Sequence, residues 1–467
     1  MIKTAVLIDI ASIQKYIFSS NKLKENLGAS YIIENIFSDF EKENIKIAYK
    51  GGGNVLAFFE NNKLAKDILK EWTKELIIKY PGITPIIAIT DNFDTDNFKQ
   101  SRNELFIQLQ RNRNQFIPQT ELLSFGINAE CPATGNSCEV YDIDKGYISS
   151  VSAAKINKAK CAEEDTKKKY QQYLPMGYDF TNDLGQLGQN KKVNNHIAVV
   201  HIDGNSMGDR FKACISQNEL EQLSKSVKDA VKQSFTHMLE EISKNIKDLE
   251  KEFALSKKCF PLRPIIIGGD DITYVCDSRL GVYSAKLFME EFEKQKVSDN
   301  KKITACAGIA IVKTKYPFYR AYQIAEELCQ NAKTVKKKED IDGSLFDFHI
   351  SFGGISDTIA NIRTNEYQNG NLTLRPYTIK DFDNLVHSIT KLKELPNSKI
   401  KKLREVLYQG REAVRLFIKD LNYHDKMLPD YDEQGYDKKG IVGDKTPYLD
   451  MIELIDFMPE FLTRGKK

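Results

Sequence analysis

The chain has 467 residues, enough for about two to four domains and more than one buried core. Aliphatic and aromatic residues make up 41% and charged residues 28%; no run approaches the ~20 apolar residues of a bilayer span, so no membrane segment is expected. The formal charge of +3 excludes the broad basic excess of a dedicated duplex-DNA binder, and Lys167–Lys169 and Lys336–Lys338 read as solvated faces.

The opening MIKTAVLIDIASIQKY enters a strand directly, without the sections of a secretion signal, so a cytoplasmic protein is expected. The strand TAVLIDIA (Thr4–Ala11) leads to a helical region through Glu34–Phe40, then to IKIAYKGGGNVLAFF (Ile45–Phe59), two strands whose Gly51, Gly52 and Gly53 supply a tight turn. A helix through Trp72–Lys79 and the strand Ile83–Thr90 complete a β-α-β-β-α-β unit, the ferredoxin-like order. The segment Asp91–Asn195 carries a polar helix over Asn97–Arg113, the loop CPATGNSC and a further charged helix.

The same order recurs from His196. A strand (His196–Asp203) and a long helical region (Leu220–Phe253) precede the hairpin IIIGGDDITYVCD (Ile265–Asp277). A helix near Leu280–Lys294, a strand Ile303–Val312, a helix from about Pro317 and a strand Leu345–Ser351 follow. After about Arg375 the pattern is helical, with Thr378 and Asn397 as N-caps of Ile379–Leu395 and Ser398–Leu421. The expected fold is α+β: two tandem ferredoxin-like units at 1–92 and 196–355, a helical linker at 93–195 with the Cys loop, and a C-terminal α-helical domain at 356–467.

Asp270 and Asp271 sit at the tip of a hairpin of otherwise apolar strands, and Asp203 ends the strand that pairs beside it. Adjacent carboxylates at a buried strand end repel each other and cost desolvation, so they persist where cations neutralise them. A few carboxylates with backbone and phosphate oxygens suit Mg2+ or Mn2+, and two such ions activate a hydroxyl and stabilise a pyrophosphate leaving group. Gly268 and Gly269 let backbone approach a nucleotide. A four-residue match alone is as often a plain Asp-rich turn; the flanking strands and Asp203 move the balance to chemistry. In DGNSMGD, Asn205 and Asp209 either assist or serve the loop and helix cap. Lys333 ends a helix with the core stripe Ala321, Ile324, Ala325, Leu328 and Ala332; by itself it complements the helix dipole. Lys313 and Lys315 are weaker phosphate candidates.

The eight cysteines, Cys131, Cys138, Cys161, Cys214, Cys259, Cys276, Cys306 and Cys329, are scattered, as reduced thiols are. Cys131 and Cys138 bracket PATGNS, a wider gap than the about two to four residues usual in zinc knuckles, so zinc is not expected. His201 and His349 lie in strand patterns as packed or hydrogen-bonded side chains, and no Ser/His/Asp elbow or Walker loop occurs.

The motifs HIDGNSMG (His201–Gly208), GGDD (Gly268–Asp271), AEELCQNAK (Ala325–Lys333) and RPYT (Arg375–Thr378), with IQKYIFSSNKLKENLGASYII (Ile13–Ile33) in the first unit, resemble the CRISPR polymerase family. This is the large palm-domain subunit of type III CRISPR effector complexes, whose palm is related to that of GGDEF nucleotide cyclases. The resemblance runs from about residue 4 to the tail. It implies two facing palms, each binding one ATP, that condense and cyclise nucleotides into second messengers of antiphage defence.

On that resemblance Asp203 and Asp270 are metal ligands, Asp271 is a further ligand or proton acceptor, and Lys333 holds phosphates. Gly204, Asn205, Gly268 and Gly269 line the nucleotide. The first palm, with GGGN (Gly51–Asn54), is silent but seats a nucleotide at Gly51–Gly53. Other effector subunits and guide or target RNA are the implied partners, alongside ATP or another NTP. The chain opens at the first strand, so the HD nuclease of many relatives is not expected. It also departs from the family at Asn205, where a second acidic residue is common, and in lacking a full zinc set. Two other readings remain: a cyclic dinucleotide synthase, and a silent RNA-binding scaffold subunit.

Overall fold

The computed structural model describes residues 1–40, 45–115, 124–187, 195–253, 255, 258–351, 357–367, 371–432 and 434–463. The first sheet holds β1 (Ile2–Ala11), β2 (Lys46–Gly51), β3 (Asn54–Phe59) and β4 (Thr84–Asp94), all antiparallel in the order β2-β3-β1-β4. Helices α1 (Ile13–Phe18) and α2 (Leu23–Asn35) join β1 to β2, and α3 (Asn62–Lys79) joins β3 to β4. The start of α3 is set by Asn61, whose side chain accepts from Leu64 N at 2.9 Å, and its buried stripe of Ala65, Leu69, Trp72 and Leu76 recurs at helical spacing.

The connecting region contributes α4 (Phe98–Arg113), the small hairpin β5 (Val140–Asp142) and β6 (Gly146–Ile148), α5 (Ser150–Tyr170) and β7 (Asp179–Phe180). Next come β8 (His196–Gly204), α6 (Met207–Ala213), α7 (Gln217–Lys244), α8 (Ile246–Phe253) and β9 (Cys259–Phe260), the last pairing with β7. The second sheet is completed by β10 (Leu262–Gly268), β11 (Asp271–Asp277), α9 (Gly281–Lys294), β12 (Ala305–Lys313), α10 (Phe318–Lys338) and β13 (Leu345–Ile350). Its order, β10-β11-β8-β12, repeats that of the first sheet, and β13 extends it in parallel.

Past α11 (Ile359–Glu366), β14 (Tyr377–Thr378) adds one more strand, so the sheet draws in chain beyond residue 355, where the sequence pattern places its end. The tail then forms α12 (Ile379–Leu392), α13 (Asn397–Gln409) and α14 (Arg411–Tyr423), with short helices behind them. Thr378 and Asp381 close a capping box at α12, as Thr378 foretells. The single helix expected over Ser398–Leu421 is two: Gly410, at φ 97°, ends α13 and starts α14, and Asn397 is a helical residue after Pro396 instead of the cap. Arg375 fixes the tail to the second sheet. Its fully buried guanidinium pairs with Asp450 at 3.1 Å and Glu453 at 3.2 Å and donates to Phe348 O at 2.9 Å.

Strand alternation divides β8 between two cores. Ala198, Val200 and Ile202 pack with α7 and α9, while Ile197 and Val199 join a cluster with α10 and the first sheet's Val6 and Ile8. Each core draws on both sheets. Helix α10 lies so close to β12 that a Cβ on Gly308 would stand 1.9 Å from Ala325 O and 2.5 Å from Cys329 N. Among the described residues no helix is long and apolar enough to cross a membrane. Gly308→Ala is expected to lower stability by about 1–3 kcal/mol through overpacking. Gly208→Ala, whose Cβ meets nothing within 4 Å, is expected to be neutral or slightly stabilising; urea unfolding of the two variants checks the contrast.

Candidate active site

Antiparallel pairing sets Asp271, the first residue of β11, directly opposite Asp203 near the end of β8. The β10–β11 hairpin closes at Gly268 and Asp271, leaving Gly269 and Asp270 as the turn, with Gly269 at φ 62° as a residue without a side chain permits. Gly204 N donates to Asp270 O at 3.1 Å, tying the turn to the strand end. Thus Asp203, Asp270 and Asp271 come together as their positions in the sequence imply.

Counter-charge is scarce. Lys333, from the last turns of α10, donates to Asp203 Oδ2 at 2.5 Å and to Gly204 O at 3.3 Å. Burial disfavours its ammonium, but Asp203 more than offsets this and its pKa is raised. For Asp270, burial and then the neighbouring Asp203 and Asp271 push the carboxyl up to about 6. Asp271 is pushed up to about 7 by burial and Asp203, although 28% of its side chain stays open to solvent. Its Oδ2 accepts from Gln14 Nε2 of α1 at 3.3 Å, and its Oδ1 lies 3.3 Å from His201 Nδ1 without a hydrogen bond. Burial holds the His201 imidazole below its usual pKa, so it offers Asp271 no full positive charge near neutral pH.

His201, expected as a packed or hydrogen-bonded strand residue and found so, also stands beside Asp271, and Gln14 joins the cluster without having been expected there. The signal for His201 was the period of two that puts it on the Asp203 face of β8, where its Nδ1 also lies 3.2 Å from Thr273 Oγ1. Gln14 lies in the Ile13–Ile33 stretch that carries the resemblance, but its partner, 257 positions away, had no local signal.

The other expected residues divide. A Cβ on Gly268 or Gly269 would meet nothing within 4 Å, so the backbone there is open to a ligand. Gly204 is instead a packing position, since a Cβ would crowd Asp270 Cβ and Met207 Cγ at 3.0 Å each. Asn205 is spent on the fold: its N and Nδ2 donate to Thr304 O at 2.8 Å and Oγ1 at 2.9 Å. Asp209 is exposed within α6 and does not cap it; Ser206 holds that position. Lys313 pairs with His196 at the opposite end of β12 from Asp203, because successive strand residues carry it away; Lys313 and Lys315 are therefore not phosphate ligands of this cluster. Cys131 and Cys138 close a loop through Cys131 N to Asn136 O (2.7 Å) and Cys138 N to Ala129 O (2.9 Å), and none of the eight cysteines is in a disulfide.

The first sheet contains a registered copy of the cluster. Gly51 faces Asn54 across its hairpin, Asn54 faces Asp9 of β1, and Ile10 N donates to Gly53 O at 3.0 Å, as Gly204 N does to Asp270 O. Asp9 is therefore the counterpart of Asp203, unnoticed in TAVLIDIA because no acidic hairpin announces it. Here the lone carboxylate is met by Arg113 at the end of α4. Gly51 and Gly52 are open, but a Cβ on Gly53 would fall 2.1 Å from Ile13 Cδ1.

Among the described residues, no three His, Cys, Asp or Glu side chains form a ready metal cage. The donor set still fits a hard divalent cation: oxygens only, a buried Asp271 Oδ1 without a hydrogen-bond partner, and two carboxyls pushed up by burial and by neighbouring acids.

Residues 196–342 match the family model described as Cas10/Cmr2, second palm domain. No curated protein sequence matches the chain. Among solved structures, the chain is similar to Csm1–Csm4 cassettes. For the cassette with cA4 the TM-score is 0.54 at 12% identity, over 99% of this chain and 70% of that one. The complex with pppApA gives 0.55 at 12%, over 99% and 69%; the complex with one ATP gives 0.55 at 14%, over 99% and 70%. At such identities the likeness is one of fold.

In metal-free protein the two raised carboxyls keep their protons on folding where the unfolded chain has lost them, so their destabilising effect grows as pH rises from the ordinary value of 3.8 through about 6 and about 7. Asp270→Asn with Asp271→Asn is expected to raise stability at pH 8 in chelator by on the order of 1–3 kcal/mol. The gain should close toward pH 4, as thermal unfolding across pH would record.

Proposed function

The chain carries a Cas10/Cmr2-type second palm domain of the CRISPR polymerase family, and on that premise we propose that it joins nucleotides, ATP first among them, and cyclises the product into an oligonucleotide second messenger. The observation that carries this reading is the facing pair Asp203 and Asp271 with Asp270 at the turn, three carboxylates with one ammonium, Lys333, beside them. A structural role would favour neutralisation within the protein, as Asp9 receives from Arg113 in the first sheet.

In this reading the two sheet units are tandem palms, and each seats one nucleotide. The open backbone at Gly268–Gly269 receives the triphosphate in the second, and Gly51–Gly52 lie at the equivalent turn of the first. Asp203, Asp270 and Asp271 would hold two Mg2+ or Mn2+ ions, which would supply the positive charge that activates a 3′-hydroxyl and steadies pyrophosphate. Lys333, relieved of Asp203, turns its ammonium to the phosphates. Asp271, bonded to the first unit through Gln14, accepts the proton of the attacking hydroxyl. The Csm1–Csm4 cassettes are two-subunit assemblies; by extension this chain works beside other effector subunits, under the control of RNA, in defence against phage.

Purified protein with ATP and Mg2+ or Mn2+, with and without candidate RNA, is expected to release pyrophosphate and to form a cyclic product identifiable by mass spectrometry. Asp270→Ala with Asp271→Ala should reduce the rate on the order of 100-fold or more. Release from no NTP under any of these conditions overturns the enzyme reading, and an unchanged rate in the double variant overturns the site.

A further inference from the structure

Helix α1 belongs to the first sheet unit, yet it touches both hairpin systems. Ser12 enters it in the left-handed region (φ 53°, ψ 44°). Ile13 then lies over Gly53, where a Cβ would fall 2.1 Å from Ile13 Cδ1. One residue on, Gln14 donates to Asp271 Oδ2 at 3.3 Å. At the other end of the helix Phe18 stacks on Tyr322 of α10 with ring centroids 3.9 Å apart, and Tyr322 meets His201 edge-on at 5.6 Å. His201 Nδ1 is 3.3 Å from Asp271 Oδ1. Both oxygens of Asp271 are thus approached by groups linked to α1. The buried Lys155 braces the helix by donating to Tyr16 O at 2.5 Å and Ser19 Oγ at 2.6 Å.

We propose that Gln14 is a positioning residue that orients the Asp271 carboxylate for cation binding, and that α1, seated on Gly53, transmits the state of the first unit's hairpin to it. This rests on the reading of Asp203, Asp270 and Asp271 as a cation site. A neutral amide suits that role, because it fixes one oxygen of Asp271 without adding a charge that would compete with the cation, and leaves the other oxygen free to ligate. The Ile13 contact over Gly53 and the Gln14 bond to Asp271 lie on adjacent residues of α1, so a shift of the Gly52–Gly53 turn that displaces α1 displaces Gln14 with it.

Mn2+ affinity of the nucleotide-free protein, measured by electron paramagnetic resonance, tests this without activity. Gln14→Ala is expected to weaken binding about 10-fold, the usual size of losing a group that orients a ligand. Gly53→Ala, which forces Ile13 aside, should weaken it as well, and the two together should be no worse than Gln14→Ala alone, since both act through one contact. If Gly53→Ala does not fold, Ile13→Ala, which withdraws the side chain seated there, takes its place. Affinity within about two-fold of wild type for folded Gln14→Ala, or fully additive losses, overturns the proposal. Wild-type protein that binds Mn2+ yet releases no pyrophosphate sinks the proposed reaction and leaves this inference standing.

Discussion

The structure depends on one electrostatic constraint: two carboxylates face each other across neighbouring strands, a third stands at the adjoining turn, and one lysine answers them. Asp203 and Asp271 are fixed by backbone register, so neither can swing away from the other without breaking the ladder between β8 and β11. Relief through the backbone is closed off. Side-chain relief is partial, because Lys333 engages Asp203 while Asp271 receives only a neutral amide and sits near a histidine kept neutral by burial. A fold that holds charge in this way is suited to binding cations.

The first sheet shows what the same backbone does when the constraint is lifted. Strand order, hairpin closure and the bond from the first strand to the turn all recur, but Asn54 and Gly53 replace the two hairpin acids and Arg113 meets the remaining Asp9. One acid and one guanidinium form an internal pair that requires nothing from outside. The two sheets are thus one scaffold carrying different charge states, a paired acid in the first and an excess of carboxylate in the second.

Much of this was legible in the sequence because it is local. Both hairpins, the strand that ends in Asp203, the apolar stripe of α10 that delivers Lys333, and the Thr378 cap follow from period, turn chemistry and capping residues. What stayed hidden depends on distance or on single backbone torsions. Gln14 reaches Asp271 across 257 positions. Asp9 is identified only through its register with Asn54. Gly410 interrupts a stretch whose apolar pattern continues on both sides, and a periodic count cannot see one positive φ. Lys313 was misplaced for the complementary reason, since a strand's length carries its two ends to opposite edges of the sheet.

The region between the sheets is best understood as a clamp. At one end of α4, Arg102 is almost fully buried and donates to Phe211 O at 3.0 Å and Lys212 O at 2.8 Å, satisfying the C-terminal carbonyls of α6, the helix that directly follows the Asp203 loop. At the other end Arg113 neutralises Asp9. On the far side, α5 packs so tightly on α2 that a Cβ on Gly28 would fall 1.9 Å from Lys155 O, and the same Lys155 braces α1. A helix that caps an element of one sheet while neutralising the acid of the other cannot be a passive tether. Through Arg102 and Arg113 it ties the helix that follows the Asp203 loop to the first sheet's central strand, β1.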